Sequence, residues 1–215
     1  MTDRAGFFVV LEGPEGAGKS TLATRIEARA RRIGIEVVRV REPGGTPLAE
    51  AARRALLDDV EPVSAEAELF LILAARADLV RRVIRPALEA NQFVLADRYD
   101  LSTEAYQVAG RGLDPAMVRA ANAAATGGLA ADLTLILDVT ADVGAGRQLA
   151  AGKQRDRLDR ESLDFHRRVA AAYLAVEGRA VRHFDASGSP DEVEALGWRA
   201  LTEADPARFT SAMQG

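Results

Sequence analysis

The sequence predicts an α/β fold: a five-stranded parallel sheet with helices on both faces and a ligand site at the carboxyl ends of the strands. Three observations predict it. Apolar runs of strand length recur five times along the 215-residue chain, at 6–12, 36–41, 93–97, 133–138 and 181–186. The stretches between them carry helical spacing, so strands and helices alternate. The polar motifs gather where the apolar runs end. No internal repeat, low-complexity tract or long linker appears, so one domain over residues 1–215 is expected.

The first run, GFFVVLE, leads into GPEGAGKS, Gly13 to Ser20, which fits G-x-x-x-x-G-K-[ST] between a strand and a helix. Gly13, Gly16 and Gly18, with Pro14, Glu15 and Ala17 between them, let the backbone turn its N–H groups inward around a phosphate. The amino end of the helix that carries Thr21 adds positive partial charge. Lys19 is one of only two lysines, the other being Lys153, in a chain that otherwise carries positive charge on arginine. Its ammonium is expected on the β- and γ-phosphates of a nucleoside triphosphate, and the Ser20 hydroxyl on Mg2+. A glycine turn that merely caps a helix would not require strand, loop and Lys-Ser together.

The second run ends in REPGGT, Arg41 to Thr46, where Pro43 and two glycines make the turn tight. Either Arg41 adds a charge for an acceptor's phosphate, or this is a plain strand-to-helix turn. A helix over 65–90 follows, with an apolar stripe of Leu69, Ile72, Leu73, Val80, Val83 and Ile84, and Arg76 falls on that stripe. A guanidinium there needs a polar partner. It is either half of a buried ion pair with a carboxylate such as Glu12 or Asp97, or a donor aimed at a bound substrate.

The third run opens into DRYDLSTEAYQ, residues 97–107. Asp97 at a strand's end can serve as the second acidic partner of Mg2+ through water, while Arg98 offers a bidentate fork to a second phosphate. Thr103, Tyr106 and Gln107 share a helical face and can line a polar pocket beside it. The competing account is an Asp97–Arg98 surface pair followed by a helix cap at Ser102.

Beyond the fourth run, GKQRDRLDRES (152–162) is the densest charge cluster and interrupts two helical patterns, which reads either as an exposed or mobile lid or as solvated surface. After the fifth run, DASG (185–188) matches D-x-x-G only formally, and no Asn-Lys-x-Asp string for a guanine base exists. The tail ADPARFTSAMQG offers no motif and is expected to be partly disordered.

Composition sets outer limits. A formal charge of −4 argues against a broad grip on nucleic acid, so any bound polyanion should be small. Without cysteine there is no disulfide framework and no thiolate site. The amino-terminal apolar stretch is too short for a signal-peptide core or a membrane span, which makes a cytoplasmic location the default and a membrane partner unexpected.

In this order, EGPEGAGKST, REPGGT, AAR, DRYDLSTEAYQ, GRGLD, ADLTLILDVT, DRLDRES and FDAS resemble the bacterial thymidylate kinases, from about residue 7 to about residue 200. The resemblance implies a P-loop nucleoside monophosphate kinase fold with a short lid at about 148–162, usually a homodimer, moving a phosphoryl group from ATP to dTMP with Mg2+. It implies that Glu15 sits near the acceptor sugar's 3′-hydroxyl, Arg76 hydrogen-bonds the base and Arg98 holds the acceptor phosphate. Thr103 and Tyr106 would line the nucleoside pocket, with the Tyr106 ring where a ribose 2′-hydroxyl would go. Glu12, Arg41, Pro43 and Gln107 join this acceptor side, and Ala186 and Ser187 resemble the loop that passes the adenine.

Gly16 stands where one branch of the family has an arginine, so the chain resembles the branch that supplies its catalytic arginine from the lid. The candidates are Arg147, Arg155, Arg157 and Arg160, of which Arg155 and Arg157 flank Asp156 at the tip. Gln148 and Ala150 occupy positions where that branch often has arginine, and Ile72 stands where relatives carry a phenylalanine that stacks on thymine. Two competing readings follow from these departures: a kinase with relaxed base selectivity, and a catalytically silent ATP-binding module.

Overall fold

A computed structural model of the chain describes residues 6–57, 63–150, 152 and 156–210. All five apolar runs are strands, within a residue of their expected bounds: β1 (Phe7–Glu12), β2 (Val37–Arg41), β3 (Phe93–Asp97), β4 (Leu133–Asp138) and β5 (Val181–Asp185). They form one parallel sheet in the order β2-β3-β1-β4-β5. β1 is central, with Phe7 beside Phe93 and Glu12 beside Ile136. The chain leaves β1 for one side of the sheet and later crosses to the other. The carboxyl end of β1 is therefore the topological switch point where a ligand crevice opens.

Continuous apolar strands follow from helices on both faces. Alternate residues serve opposite layers: Val9, Leu11, Leu95 and Leu135 pack with α1 (Lys19–Arg32) through Leu22 and Ile26. Phe8, Val10, Val94 and Ala96 face the other way, toward Leu79, Ile84, Leu88 and Tyr99. After β2 come α2 (Pro47–Leu57) and α3 (Ala65–Leu79), the latter capped by Ser64, whose Oγ accepts from Ala67 N.

The helix expected over 65–90 is not uniform. α3 passes into a π-helical turn, Val80–Ile84, before α4 (Arg85–Glu89). Pro86 has no N–H to donate and would crowd the carbonyl a turn earlier, which the wider turn relieves. A second π-helical turn, Glu104–Gly110, follows α5 (Asp100–Thr103) and carries Tyr106 and Gln107.

The remaining helices are α6 (Pro115–Thr126), α7 (Ala141–Ala150), α8 (Leu163–Leu174), α9 (Pro190–Ala204) and α10 (Pro206–Phe209). α10 is the first part of that tail, and Phe209 is buried edge-on against Phe93 and Trp198. Residues 211–215 of that tail lie outside the described residues. No helix among the described residues is long and apolar enough to cross a membrane.

Candidate active site

A cavity of about 510 Å³ opens at the carboxyl ends of β1, β2 and β3. Its floor is the glycine-rich loop, which contributes Glu15, Gly16, Gly18, Lys19, Ser20 and Thr21. Gly16 has φ 74°, in the left-handed region, and a methyl group on it would lie 2.2 Å from the carbonyl oxygen of Gly144 in α7. The loop and α7 thus meet backbone to backbone, and no side chain fits at position 16. Gly13 is equally constrained, since a methyl group there would lie 2.5 Å from Leu137 O.

Lys19 is buried, and its Nζ donates to Gly13 O at 2.9 Å and Pro14 O at 2.7 Å. Burial lowers its ammonium pKa to about 8, with the neighbouring Arg98 charge acting in the same direction. An anion entering the loop would oppose both effects. Ser20 Oγ donates to Asp97 Oδ2 at 2.7 Å, so the two expected metal ligands are side by side. Two hard oxygens, one anionic, suit Mg2+, which keeps waters and substrate phosphates as its other ligands. Among the described residues no group of three or more His, Cys, Asp or Glu side chains forms an all-protein metal cage.

Asp97 and Arg98 do not pair with each other. Arg98 has φ 75°, an uncommon conformation for a non-glycine residue, which turns its side chain away from that of Asp97. Its Nη2 donates to Glu15 Oε2 at 2.8 Å and Tyr106 Oη at 3.1 Å. Its Nη1 donates to Gly13 O, Ser102 Oγ and Tyr173 Oη. Ser102 is not a cap: it lies within α5 and its Oγ donates to Glu12 Oε2 at 2.6 Å.

Glu12 stands behind the cavity wall rather than in it. It is fully buried and also accepts from the backbone N–H groups of Tyr99 and Ser102 and from Tyr173 Oη. It is the anchor that holds the turn after β3.

Arg76 is 1 % exposed, and its carboxylate partner is Glu42, not Glu12 or Asp97. Arg76 Nε donates to Glu42 Oε2 at 2.7 Å, Nη1 to Thr103 Oγ1 at 2.8 Å and to Asn122 Oδ1, and Nη2 to Tyr99 O at 2.8 Å. Burial lifts the Glu42 carboxyl above the usual carboxylate range even with Arg76 against it. Arg76 still reaches the cavity, together with Ile72, Thr103, Tyr106 and Gln107. The ion-pair reading of Arg76 is the one observed, and the residue also forms part of the cavity wall. Burial raises the Tyr106 phenol to about 12, which keeps it neutral.

Arg41 and Pro43 line the rim, and Arg41 Nη2 donates to Glu50. The sequence did not single out Glu42, Asn122, Tyr173 or His166, the last of which also lines the cavity. Asn122 carried a signal, as a polar residue within the alanine-rich helix RAANAAAT. Tyr173 carried none, because it continues the apolar spacing of Phe165 and Val169.

Of the segment expected as lid, described residues on both sides of the tip lie against the cavity. Asp156, Leu158 and Asp159 line it, and the buried Asp159 accepts from Gln148 Nε2 at 2.8 Å. Arg157 does not line the cavity: it donates to Leu56 O at 2.8 Å and to the carboxylate of Glu68. Arg147 lines both this cavity and a second of about 200 Å³, bounded also by Ala17, Thr21, Ala186 and Val193. Its Nη2 donates to Ser187 O at 3.0 Å. Arg155 lies outside the described residues.

A 2-3-1-4-5 parallel sheet with a glycine-rich loop, a Ser–Asp pair and, in the same cavity, a wall carrying Arg76 and Arg98 defines a P-loop nucleoside monophosphate kinase. The comparisons narrow the class. The family model for thymidylate kinase matches residues 11–196. A thymidylate kinase of Deinococcus radiodurans is 46 % identical over 92 % of this chain and 97 % of its own length. Those of Thermomicrobium roseum and Pseudomonas fluorescens are 47 % and 49 % identical over 92 % and 83 % of this chain, and 95 % and 85 % of their own lengths. The chain belongs to the thymidylate kinase family.

Proposed function

We propose that the chain transfers the γ-phosphoryl group of ATP to dTMP, giving ADP and dTDP. The observation that carries this reading is that a single cavity has the phosphate loop at one end and the Arg76–Thr103–Tyr106 wall at the other, with Arg98 between them. The phosphate loop and Lys19 hold the donor phosphates, and Arg98 orients the acceptor phosphate in line with them. Arg76 donates toward a base carbonyl, and the Tyr106 ring occupies the space of a 2′-hydroxyl. Ala186 and the Ser187 backbone border the adenine side.

Ser20 and Asp97 would hold Mg2+, Asp97 through water; bound there, the ion neutralises charge on the donor phosphates. No covalent intermediate and no strong base are required, because a phosphate monoester is already a nucleophile. The charge spread over the transferring group is met by Lys19, the loop N–H groups and a lid arginine. We assign this role to Arg147, just before the lid in α7, because it lines both cavities, whereas Arg157 is tied to Glu68. The segment at about 148–162 closes over the nucleotide and excludes water.

The reading extends to a homodimer: Phe70 and Leu48, 60 % and 53 % exposed, are apolar groups that a second copy would cover. The test of the reaction is phosphorus NMR of a mixture of ATP, Mg2+ and dTMP, in which ADP and dTDP must appear in equal amounts. ADP without dTDP would leave only hydrolysis.

A further inference from the structure

Glu68 sits on α3, two turns before Arg76, and is 0 % exposed. It does not line the cavity, and nothing in the proposed reaction uses it. A spacing of four residues puts Glu68, Ile72 and Arg76 on one face of the helix, and the last two are cavity wall. A buried carboxylate costs free energy unless it is well paired. Glu68 gathers donors from three segments: Oε1 accepts from Gln107 Nε2 at 2.8 Å and Arg111 Nε at 3.1 Å, and Oε2 from Arg111 Nη2 at 3.1 Å and from Arg157 Nη2. Burial would lift its carboxyl, but the hydrogen bonds from Arg111, Arg157 and Gln107 outweigh that and hold it below the usual range.

The two arginines are not equivalent. Arg111 grips Glu68 with a two-pronged fork from the residue that ends the second π-helical turn, and its guanidinium lies over the Phe165 ring, 4.8 Å from the centroid. Its Nη1 also pairs with Glu161 at 2.6 Å, where the segment expected as lid runs into α8. Arg157 comes from that segment itself. It reaches Glu68 with Nη2 and the carbonyl oxygen of Leu56, near the end of α2, with Nε. Around it, residues 156–160 form a turn closed on itself: Asp156 N donates to Asp159 Oδ2 at 3.2 Å, Asp159 N to Asp156 Oδ1 at 2.9 Å, and Arg160 N to Asp156 O at 3.2 Å. Asp156, Leu158 and Asp159 of this turn line the cavity, so holding Arg157 holds them. Without Arg157, Glu68 would still keep the Arg111 fork and the Gln107 amide, and no buried charge would be left uncompensated.

We propose that Arg157 and Glu68 form a releasable latch for the cavity's lid, in which Arg111 is the fixed partner of Glu68 and Arg157 the one that docks and leaves. Both latch residues are positioning residues, acting through Asp156, Leu158 and Asp159 rather than on the nucleotides. The docked latch ties the lid turn to α2 and α3 and keeps water from the γ-phosphoryl group. Unlatched, water competes with the acceptor: its oxygen bonds to the γ-phosphorus, the bond to the β–γ bridging oxygen breaks, and ADP, inorganic phosphate and a proton are released. This inference rests on the nucleotide-kinase reading of the cavity.

Arg157→Met tests it, because it removes the docking half and leaves the Arg111 fork in place. With ATP, Mg2+ and saturating dTMP, the ADP formed per dTDP should rise measurably above one. The kcat/KM for dTMP should fall about tenfold, the range for losing one charged hydrogen bond. The urea unfolding midpoint should stay near that of the wild type, since Glu68 remains paired. Adding Glu68→Gln to Arg157→Met should raise the leak no further. Equal amounts of ADP and dTDP in Arg157→Met would overturn the proposal, whatever the change in stability. Arg157→Lys keeps the charge but not the second nitrogen that holds Leu56, so its ratio should lie between the two. Should Arg157→Met fail to fold, a ratio of one in Arg157→Lys overturns the proposal. A wild-type chain that forms no dTDP would instead sink the kinase reading itself.

Discussion

Arg98 Nη2 lies 2.8 Å from Glu15 Oε2, so the arginine at the end of β3 is bound to the middle of the phosphate loop. The pair joins the donor half of the cavity to the acceptor half through one ion pair that is largely shielded from solvent. Glu15 neutralises part of the Arg98 charge and sets where its guanidinium fork points.

Removing that fork should therefore cost catalysis more than folding. Arg98→Ala is expected to lower kcat/KM for dTMP by roughly 100- to 1000-fold, the range for losing one charged stabiliser of a reacting group. The KM for ATP should move little. Steady-state kinetics with each substrate varied in turn check this, and near-wild-type efficiency toward dTMP would remove Arg98 from the acceptor site.

The Arg76–Glu42 pair predicts a loss of stability. Arg76→Leu leaves the Glu42 carboxylate buried without its partner and should cost about 3–5 kcal/mol in urea unfolding. The double substitution Arg76→Leu with Glu42→Gln should recover part of that loss, because the uncompensated charge is gone. A single variant as stable as the wild type would mean that Glu42 is already neutral.

Lys19 predicts a pH dependence. Its ammonium pKa is about 8 in the folded chain against 10.5 as an ordinary lysine, so between those values the unfolded chain binds more protons. Stability contributed by this group therefore rises with pH across that window. Bound phosphates favour the charged ammonium, so ATP binding at pH 8.5 should take up a fraction of a proton. Titration calorimetry in two buffers of different ionisation enthalpy measures the uptake, which Lys19→Met should abolish. An observed enthalpy independent of buffer would show that the ammonium is already protonated.

Arg147 and Arg160 separate the lid's roles. Arg147→Ala is expected to lower kcat roughly 100-fold or more, as for an arginine meeting transition-state charge. Arg160 is exposed and lines neither cavity, so Arg160→Ala should stay within a few-fold of wild type. Equal losses in the two variants would assign the catalytic charge elsewhere in the segment.

What the sequence made legible was local or periodic. The phosphate loop could be read because its backbone needs glycine at set places and its chemistry needs Lys19 and Ser20 next to them. β1, β3 and β4 could be read because strands covered on both faces demand near-continuous apolar runs, whereas the edge strands β2 and β5 carry Arg39, Arg41, Arg182 and His183 among shorter apolar stretches. Pairings across the chain could not be read. Glu42 and Arg76 are 34 residues apart, and Glu68 and Arg157 are 89 apart. No periodicity links such residues; only the fold brings them together. Glu12 illustrates the limit, since the family resemblance put it on the acceptor side while its oxygens are committed to the turn after β3.

The most direct test of the account is ADP release by the wild-type chain with ATP and Mg2+, with dTMP, dUMP, UMP, dCMP and dGMP each varied in concentration. The account predicts the highest kcat/KM for dTMP, and low efficiency for UMP because Tyr106 blocks a 2′-hydroxyl. A flat profile across the five nucleotides, or a preference for dCMP or dGMP, would contradict it.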